Sequence, residues 1–318
     1  MNGFSLILCF CVLTVSLAPM RSQTTATTSV TGLANDSTAA ANKSRQTKRK
    51  IYISVDMEGI SGISGSDQLS TGGSEYGRSR KLMAEDANAA IRGAIAAGAT
   101  EVVVNDSHGG QRNLLPEDLH PSASLITHSF KRYGMMEGLD ESFDAVLFIG
   151  YHAKASSPDG LFAHTGSGVV RDLQINGRSV GEGGMNAMLA AWYGVPVVLV
   201  TGDDVAVAEV KEIAATVRGV VVKRAINVRA AELMPLATTR KEIEVAARDA
   251  VAGAKKTAAR RGGPFRVQMQ FRDTLIPEVA EAFPTIRRVG PETVGYSMDS
   301  MPAAYRLIRV LYRFISVD

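Results

Sequence analysis

Residues 51–59 read Ile-Tyr-Ile-Ser-Val-Asp-Met-Glu-Gly, a short apolar run that ends in two carboxylates. Two further runs have the same form: residues 102–108 read Val-Val-Val-Asn-Asp-Ser-His, and residues 146–152 read Val-Leu-Phe-Ile-Gly-Tyr-His. Each run is short, mostly apolar and contains β-branched residues, which is typical of a buried strand. Because ligands bind beyond the carboxyl ends of strands in open α/β sheets, the three runs predict that carboxylates and imidazoles meet at one sheet edge.

Apolar runs alternate with helical periodicity from residue 51 onward, which predicts an α/β fold with a mainly parallel sheet and helices on both faces. The strands are predicted at residues 51–55, 101–104, 123–126, 145–149, 196–200 and 266–271. The helices are predicted near residues 79–97, 183–193, 204–216, 238–258, 276–282 and 299–315. The break at residues 260–264, Arg-Arg-Gly-Gly-Pro, could mark a smaller C-terminal subdomain or a surface loop.

Composition is that of a soluble globular protein: the chain has 318 residues, of which 45% are hydrophobic and 21% are charged. The net charge of +3 is largely local, since basic residues cluster within residues 43–50. No stripe of Lys and Arg is interleaved with aromatic residues, so no nucleic-acid partner is expected. Both cysteines, Cys9 and Cys11, lie near the N terminus. A metal site in the mature protein must therefore use His, Asp and Glu.

The N-terminal region predicts export to the periplasm or the medium. Residues 4–18 form an apolar stretch of signal-peptide length that is short for a membrane span, so residues 1–22 are interpreted as a signal peptide or an N-terminal anchor. A wrongly assigned start codon is a third alternative. Residues 23–50 are rich in Ser, Thr and Ala with basic residues at the end, which predicts a disordered tether. The catalytic domain is then residues 51–318.

Four side chains at the ends of the predicted strands form a candidate metal site. Asp56 and Glu58 are two positions apart, so in a strand both carboxylates share a face and can approach one cation. His108 and His152 each follow a strand. Each signal alone has a simpler interpretation, such as an acidic strand end or a loop histidine paired with Asp106. Taken together, imidazole nitrogen and carboxylate oxygen are the usual ligand set of catalytic zinc.

Two further residues complete the candidate set. Glu182 lies between two glycines at a predicted helix start, where it is either a fifth ligand or an acid that interacts with the helix dipole. His164 lies in a loop and could exchange a proton near neutral pH, although a surface histidine is the alternative. His120 and His128 stand outside any cluster and are interpreted as structural or exposed. Asp203 is expected to cap the helix that follows it.

These motifs occur in the order Ser54–Gly59, Asn105–His108, Gly150–Ala153, Ala163–His164 and Val180–Glu182. The set resembles the zinc-dependent D-aminopeptidase family, the dipeptide-operon D-aminopeptidases, from about residue 51 to near the C terminus. The resemblance implies two zinc ions per subunit and a homo-oligomer in the form of a decameric ring. It also implies a catalytic His164 and the zinc ligands Asp56, Glu58, His108, His152 and Glu182.

The function expected from the sequence is an exported two-zinc aminopeptidase. It would hydrolyse short peptides with an N-terminal D-residue, of the D-alanyl type, through a metal-bound hydroxide, with Asp56 bridging the two ions. An unidentified acidic residue is expected to hold the substrate ammonium. Alternatives are another two-metal hydrolase, an amidase or a phosphoesterase, and a non-enzymatic exported protein that binds peptides or metal. The motifs contain no Arg or Lys clamp, which argues against a phosphate substrate.

Overall fold

The computed structural model describes residues 48–315. The predicted signal peptide or anchor, and residues 23–47 of the predicted tether, lie outside the described residues. The strands are β1 (Lys50–Val55), β2 (Glu101–Asp106), β3 (Ala123–Ile126), β4 (Ala145–Tyr151), β5 (Val170–Ile175), β6 (Arg178–Ser179), β7 (Val197–Asp203), β8 (Arg218–Asn227), β9 (Ala230–Leu233), β10 (Phe265–Phe271), β11 (Arg287–Gly290) and β12 (Thr293–Met298). The helices are α1 (Tyr76–Ala96), α2 (Glu182–Trp192), α3 (Asp204–Ile213), α4 (Leu236–Ala252), α5 (Leu275–Ala280) and α6 (Met301–Arg313).

The larger sheet has seven strands in the order β3-β2-β1-β4-β7-β8-β9. Every neighbouring pair is parallel except β8 and β9, which form an antiparallel hairpin. The predicted α/β fold with a mainly parallel sheet is therefore confirmed. Because β2, β1 and β4 are adjacent and run in one direction, their carboxyl ends lie side by side at one edge.

A second, antiparallel sheet was not predicted. Its five strands run in the order β11-β12-β10-β5-β6. The C-terminal strands do not form a sheet of their own, because β10 pairs with β5 from the middle of the chain. The break at residues 260–264 lies in the loop between α4 and β10. Strand β5 has a mixed polar and apolar sequence with alternating burial, so it lacks the continuous apolar run that predicts β1, β2 and β4.

Helices cover both faces of the larger sheet, as predicted. In β1, Ile51, Ile53 and Val55 pack with residues of α1 and α4, whereas Tyr52 belongs to the core on the opposite face, which contains α2, α3 and the second sheet. Helix α4 ends at Ala252, before the predicted end near residue 258. Among residues 48–315, none of the helices combines the length and the apolar character that a membrane span requires.

Helices α1 and α4 touch backbone to backbone at Gly93. A Cβ atom built on Gly93 would lie 2.3 Å from the carbonyl oxygen of Glu244 and 2.9 Å from the amide nitrogen of Arg248. These partners are main-chain atoms of a helix, which cannot rotate away as a flexible side chain could. Glycine is thus required here by close packing, although it is a poor helix former.

We expect Gly93→Ala to lower the free energy of unfolding by about 1–3 kcal/mol, because the added methyl group must push α1 and α4 apart. The matched control is Gly77→Ala in the same helix, where nothing lies within 4 Å of the added Cβ. That change should be neutral or should stabilise by up to about 1 kcal/mol. Denaturant unfolding of both variants measures the difference, and equal effects would contradict the close contact.

Candidate metal centre

The ends of β1 and β4 are tied together by main-chain hydrogen bonds. The amide of Asp56 donates to the carbonyl of Ile149 at 2.8 Å, and the amide of Gly59 donates to the carbonyl of Gly150 at 2.7 Å. A Cβ atom on Gly59 would lie 2.0 Å from the carbonyl oxygen of Tyr151, so no larger residue fits without a shift of the backbone. This close approach brings the carboxylates that follow β1 next to the imidazole that follows β4.

The five predicted ligands lie in one buried cluster, each at most 8% exposed. His108 Nδ1 lies 2.9 Å from Glu58 Oε2 and 3.5 Å from Asp56 Oδ1. His152 Nε2 lies 3.4 Å from Asp56 Oδ2 and 3.5 Å from Glu182 Oε2. Tertiary folding therefore unites side chains from four separate segments. By contrast, His120 and His128 take no part in any group of residues that could hold a metal ion within residues 48–315.

The cluster divides into two sets of three potential ligands, and Asp56 belongs to both. One set is Asp56, Glu58 and His108, and the other is Asp56, His152 and Glu182. In each set the ligand atoms lie within 4.8 Å of one another. The two oxygens of Asp56 face different imidazoles, one on each side. Three protein ligands with room for a further one is the usual arrangement of a catalytic zinc ion.

Main-chain carbonyls fix which imidazole nitrogen is free to bind a cation. His108 donates from Nε2 to the carbonyl of Leu69 at 2.7 Å, so Nδ1 is the nitrogen that faces the carboxylates. His152 donates from Nδ1 to the carbonyl of Ala153 at 2.9 Å, which leaves its Nε2 free. Orientation of a metal-binding histidine by a hydrogen bond from its second nitrogen is the rule in metal sites.

Asp56 Oδ2 and His152 Nε2 are buried, face each other, and have no hydrogen-bond partner among the described residues. Burial lowers the pKa of His152, but the carboxylates of Glu182 and Asp56 outweigh it and hold that pKa well above its usual value. A positive charge is therefore favoured between these two atoms, which lie 3.4 Å apart, and a metal ion can supply it in place of a proton. The donor set, oxygen and imidazole nitrogen without thiolate, fits zinc.

His164 lies beside the cluster and is less buried, with 27% of its side chain exposed. Its ring stacks on that of His152 with centroids 3.9 Å apart. Nδ1 donates to the carbonyl of Phe162 at 2.8 Å, so Nε2 is free and lies 3.7 Å from Glu182 Oε1 and 4.0 Å from Glu58 Oε1. His164 also forms a third potential ligand set with Glu58 and His152.

Burial and mutual proximity shift the pKa values of these groups. Burial, reinforced by the Glu58 carboxylate, raises the pKa of Asp56 to about 7. Burial, reinforced by the adjacent His152 imidazole, lowers the pKa of His164 below its usual value, so its neutral form is favoured near neutral pH. A divalent cation in the cluster would favour ionised carboxylates and neutral imidazoles.

Two buried lysines support the segments that carry the ligands, and sequence reasoning missed both. Lys223 Nζ donates to the carbonyls of Glu58 and Ile63, at 2.8 and 2.5 Å. Burial lowers the pKa of Lys223 to about 7. Lys131 Nζ donates to the carbonyl of Asp106 at 2.6 Å, and burial lowers its pKa to about 8. Neither lysine stands near a recognisable motif, so nothing local distinguishes it from a surface lysine.

Asp106 supports the loop after His108 rather than the imidazole itself. Its carboxylate accepts hydrogen bonds from the amide of Leu114 and from both the main chain and the side chain of Asn113. Asn113 in turn donates to the carbonyl of His108 at 2.8 Å. A simple pairing of His108 with Asp106 is therefore not what the structure contains. Asp203 caps α3 as predicted, by accepting from the amide of Ala206 at 2.7 Å.

Two of the cavities that adjoin the cluster share Glu58 and His164 as wall residues, and a third, of about 210 Å³, borders His108. The smaller, about 100 Å³, is also lined by Arg309 and Arg313, and the larger, about 420 Å³, is lined by two further arginines. Within residues 48–315, the only carboxylates that line either cavity are those of Asp56, Glu58 and Glu182. The expected separate acidic residue for a substrate ammonium is therefore not found there.

The fold and the cluster together define an α/β protein with a buried carboxylate–imidazole cluster that could hold metal ions, at the carboxyl edge of a parallel sheet. The chain belongs to the Peptidase_M55 family, described as D-aminopeptidase, whose family model matches residues 49–310. This membership confirms the family resemblance noted in the sequence.

Two relatives from Bacillus subtilis support the assignment. The D-aminopeptidase of strain 168 is 47% identical over 178 residues, which are 56% of this chain and 65% of the relative, so the aligned region spans slightly under two thirds of that protein. The solved structure described as the Zn-dependent D-aminopeptidase DppA, a self-compartmentalizing protease, matches with a TM-score of 0.80 at 36% identity. The match covers 85% of this chain and all of that chain.

Proposed function

We propose that this protein is a zinc-dependent aminopeptidase that hydrolyses short peptides with an N-terminal D-residue, of the D-alanyl type. The observation that carries the proposal is the pair of buried, unpartnered atoms Asp56 Oδ2 and His152 Nε2 inside the five-residue cluster, because a metal ion between them satisfies both. Family membership and the name of the zinc-dependent relative support the choice of zinc and of peptide substrates.

Two zinc ions per subunit are proposed, with Asp56 shared between the two ligand sets. Glu58 and His108 would complete one set, and His152 and Glu182 the other. Zinc bound by these residues would lower the pKa of a coordinated water and polarise a substrate carbonyl, which is the metal-bound hydroxide chemistry expected from the sequence. The protein contributes burial, fixed imidazole orientation and a rigid sheet edge.

His164 is proposed to transfer protons during hydrolysis. The carbonyl of Phe162 holds its Nδ1 proton, so Nε2 is the atom that can accept a proton and then deliver it to the departing amine. The lowered pKa keeps the imidazole neutral and ready to accept near neutral pH. Its partial exposure beside both cavities leaves Nε2 accessible to a substrate.

The central test combines metal analysis with assays of D-alanyl-D-alanine and L-alanyl-L-alanine. The wild type should contain about two zinc ions per chain and should prefer the D-peptide. His108→Ala and Glu182→Ala should each lower the bound zinc and abolish release of D-alanine, because each removes one of three ligands from a set. The matched control is His128→Ala, an exposed histidine outside the cluster, which should change neither quantity.

Each alternative function gives a different result in the same assays. Hydrolysis of aryl phosphates or simple amides in preference to peptides would replace the peptidase proposal with a phosphoesterase or an amidase. Two bound zinc ions without turnover of any substrate would favour a carrier of peptides or metal. Full D-alanyl hydrolysis by either ligand variant would refute the ligand assignment.

His164→Ala should keep the bound zinc and lower kcat by roughly 100-fold or more, the typical contribution of a general acid–base residue. Zinc content measured alongside kcat decides between two roles. Loss of zinc would make His164 a metal ligand of the third set, and unchanged kcat would remove it from the mechanism.

A homo-oligomer, in the form of a decameric ring, is also proposed. The self-compartmentalizing relative supports it, as do four exposed apolar residues of α5, β11 and the segment between them: Leu275, Val279, Phe283 and Val289. We expect sedimentation to show a decamer and Val279→Glu to shift the protein to smaller species. Lys241→Glu on the exposed face of α4 is the control. A wild-type monomer would contradict this proposal.

Export is proposed from residues 1–22 alone. The mass of the N-terminal peptide of protein recovered from the periplasm or the medium tests it: a start near residue 23 would support cleavage, and an intact N terminus in the cytoplasm would contradict export.

A further inference from the structure

The larger cavity brings together two arginines that are distant in the sequence. Arg229 lies in the turn between β8 and β9, and Arg272 follows β10 of the second sheet. Each main-chain amide is hydrogen-bonded, to Asn227 and to Val169 respectively. Neither guanidinium makes a hydrogen bond or an ion pair within residues 48–315. Both arginines are exposed, as is Arg218 elsewhere on the surface, but Arg218 forms an ion pair at 3.0 Å.

The charge of this cavity is unbalanced. Its lining contains two guanidinium groups and one carboxylate, that of Glu58, which already faces His108 in the metal cluster. Two exposed guanidinium groups on the wall of one cavity can both approach a single anionic group, and neither has such a partner within residues 48–315. The cavity therefore favours a ligand with a negative charge, although the cluster itself was expected to receive the amino end of a peptide.

The positions of the two cavities that share Glu58 and His164 indicate where each half of a cleaved peptide would lie. Both border Glu58 and His164, so a bond cleaved beside the cluster has one half in each cavity. The smaller cavity, about 100 Å³, is lined by four of the five proposed zinc ligands and so admits only a small residue such as alanine beside them, whereas about 420 Å³ accommodates the leaving portion of a short peptide. The leaving portion of a dipeptide ends in a carboxylate.

We infer that Arg229 and Arg272 bind the terminal carboxylate of the substrate, which makes this protein selective for very short peptides with a free carboxyl end. This inference rests on the proposed peptidase function. Guanidinium groups match a carboxylate through paired, charge-assisted hydrogen bonds, and two of them fix its position as well as its charge. A longer chain, or a blocked carboxyl end, would place a neutral group between two unpaired cations.

The test compares D-alanyl-D-alanine with its C-terminal amide, which differs only in the charge at that end. The wild type should show kcat/KM about 10–100-fold higher for the free acid, the range expected for charge-assisted hydrogen bonds. The double variant Arg229→Gln/Arg272→Gln should lose this preference through a higher KM for the acid. Its kcat for the acid and its kinetics with the amide should stay near the wild-type values.

Two further variants show whether the preference for the free acid depends on the charge of the arginines, on their paired hydrogen bonds, or on the loss of any surface arginine. Arg272→Lys keeps the charge but loses the paired hydrogen bonds, so it should recover only part of the preference. Arg248→Gln removes an exposed arginine of α4 that lines neither cavity and should change nothing. Equal kcat/KM for acid and amide in the wild type, or equal losses for both substrates in the double variant, would overturn the inference.

Binding measurements keep the inference testable if neither peptide is cleaved. Calorimetric titration of the zinc-loaded protein with the acid and with the amide reports the same discrimination without turnover. Tighter binding of the acid, lost in the double variant, supports the carboxylate site even where the peptidase proposal fails. Equal affinities overturn it. Cleavage of an aryl phosphate that depends on both arginines would also overturn it, by assigning them to phosphate.

Discussion

The buried contact between Asp56 and His152 is the constraint on which the site depends. Asp56 Oδ2 and His152 Nε2 lie 3.4 Å apart without a hydrogen-bond partner among the described residues, so this contact favours a positive charge between them. The surrounding side chains repeat that arrangement on the other side of Asp56, where His108 approaches the second oxygen. The whole cluster is thus organised for positive charge, and removal of one member leaves the others electrostatically unfavourable.

Rigid surroundings hold these groups in place. Strands β1 and β4 are neighbours in the centre of the sheet, and the contact of Gly59 with Tyr151 locks their ends together. Behind the cluster, the Tyr151 hydroxyl is hydrogen-bonded to Ser54 at 2.7 Å and to Asn186 of α2 at 2.8 Å. This buried network joins the helix that begins with Glu182 to the strands that carry the other ligands. Fixed positions of this kind are what metal catalysis requires.

The arginines at the cavity walls bear on the choice between a peptidase and a phosphoesterase. The motifs contain no basic clamp, which spoke against a phosphate substrate, but folding brings arginines to both cavity walls. The same arginines suit a peptide carboxylate. The shared feature is an anion beside a metal centre, so the identity of that anion separates a peptidase from a phosphoesterase. Family membership favours the peptide.

The parallel sheet and the grouping of candidate ligands at one sheet edge follow from the sequence, and Glu182 joins the candidates through the family resemblance. Three apolar runs end in potential ligand side chains, and parallel strands deliver their carboxyl ends to one edge whatever the details of packing. The antiparallel sheet depends on tertiary contacts, since β5 pairs with β10 across a long stretch of chain. Tertiary contacts also bury Lys223 beneath Glu58 and bring Arg229 and Arg272 to the wall of one cavity. The physical reason is that periodicity reports local burial, whereas the partner of a charged side chain is set by contacts between distant segments.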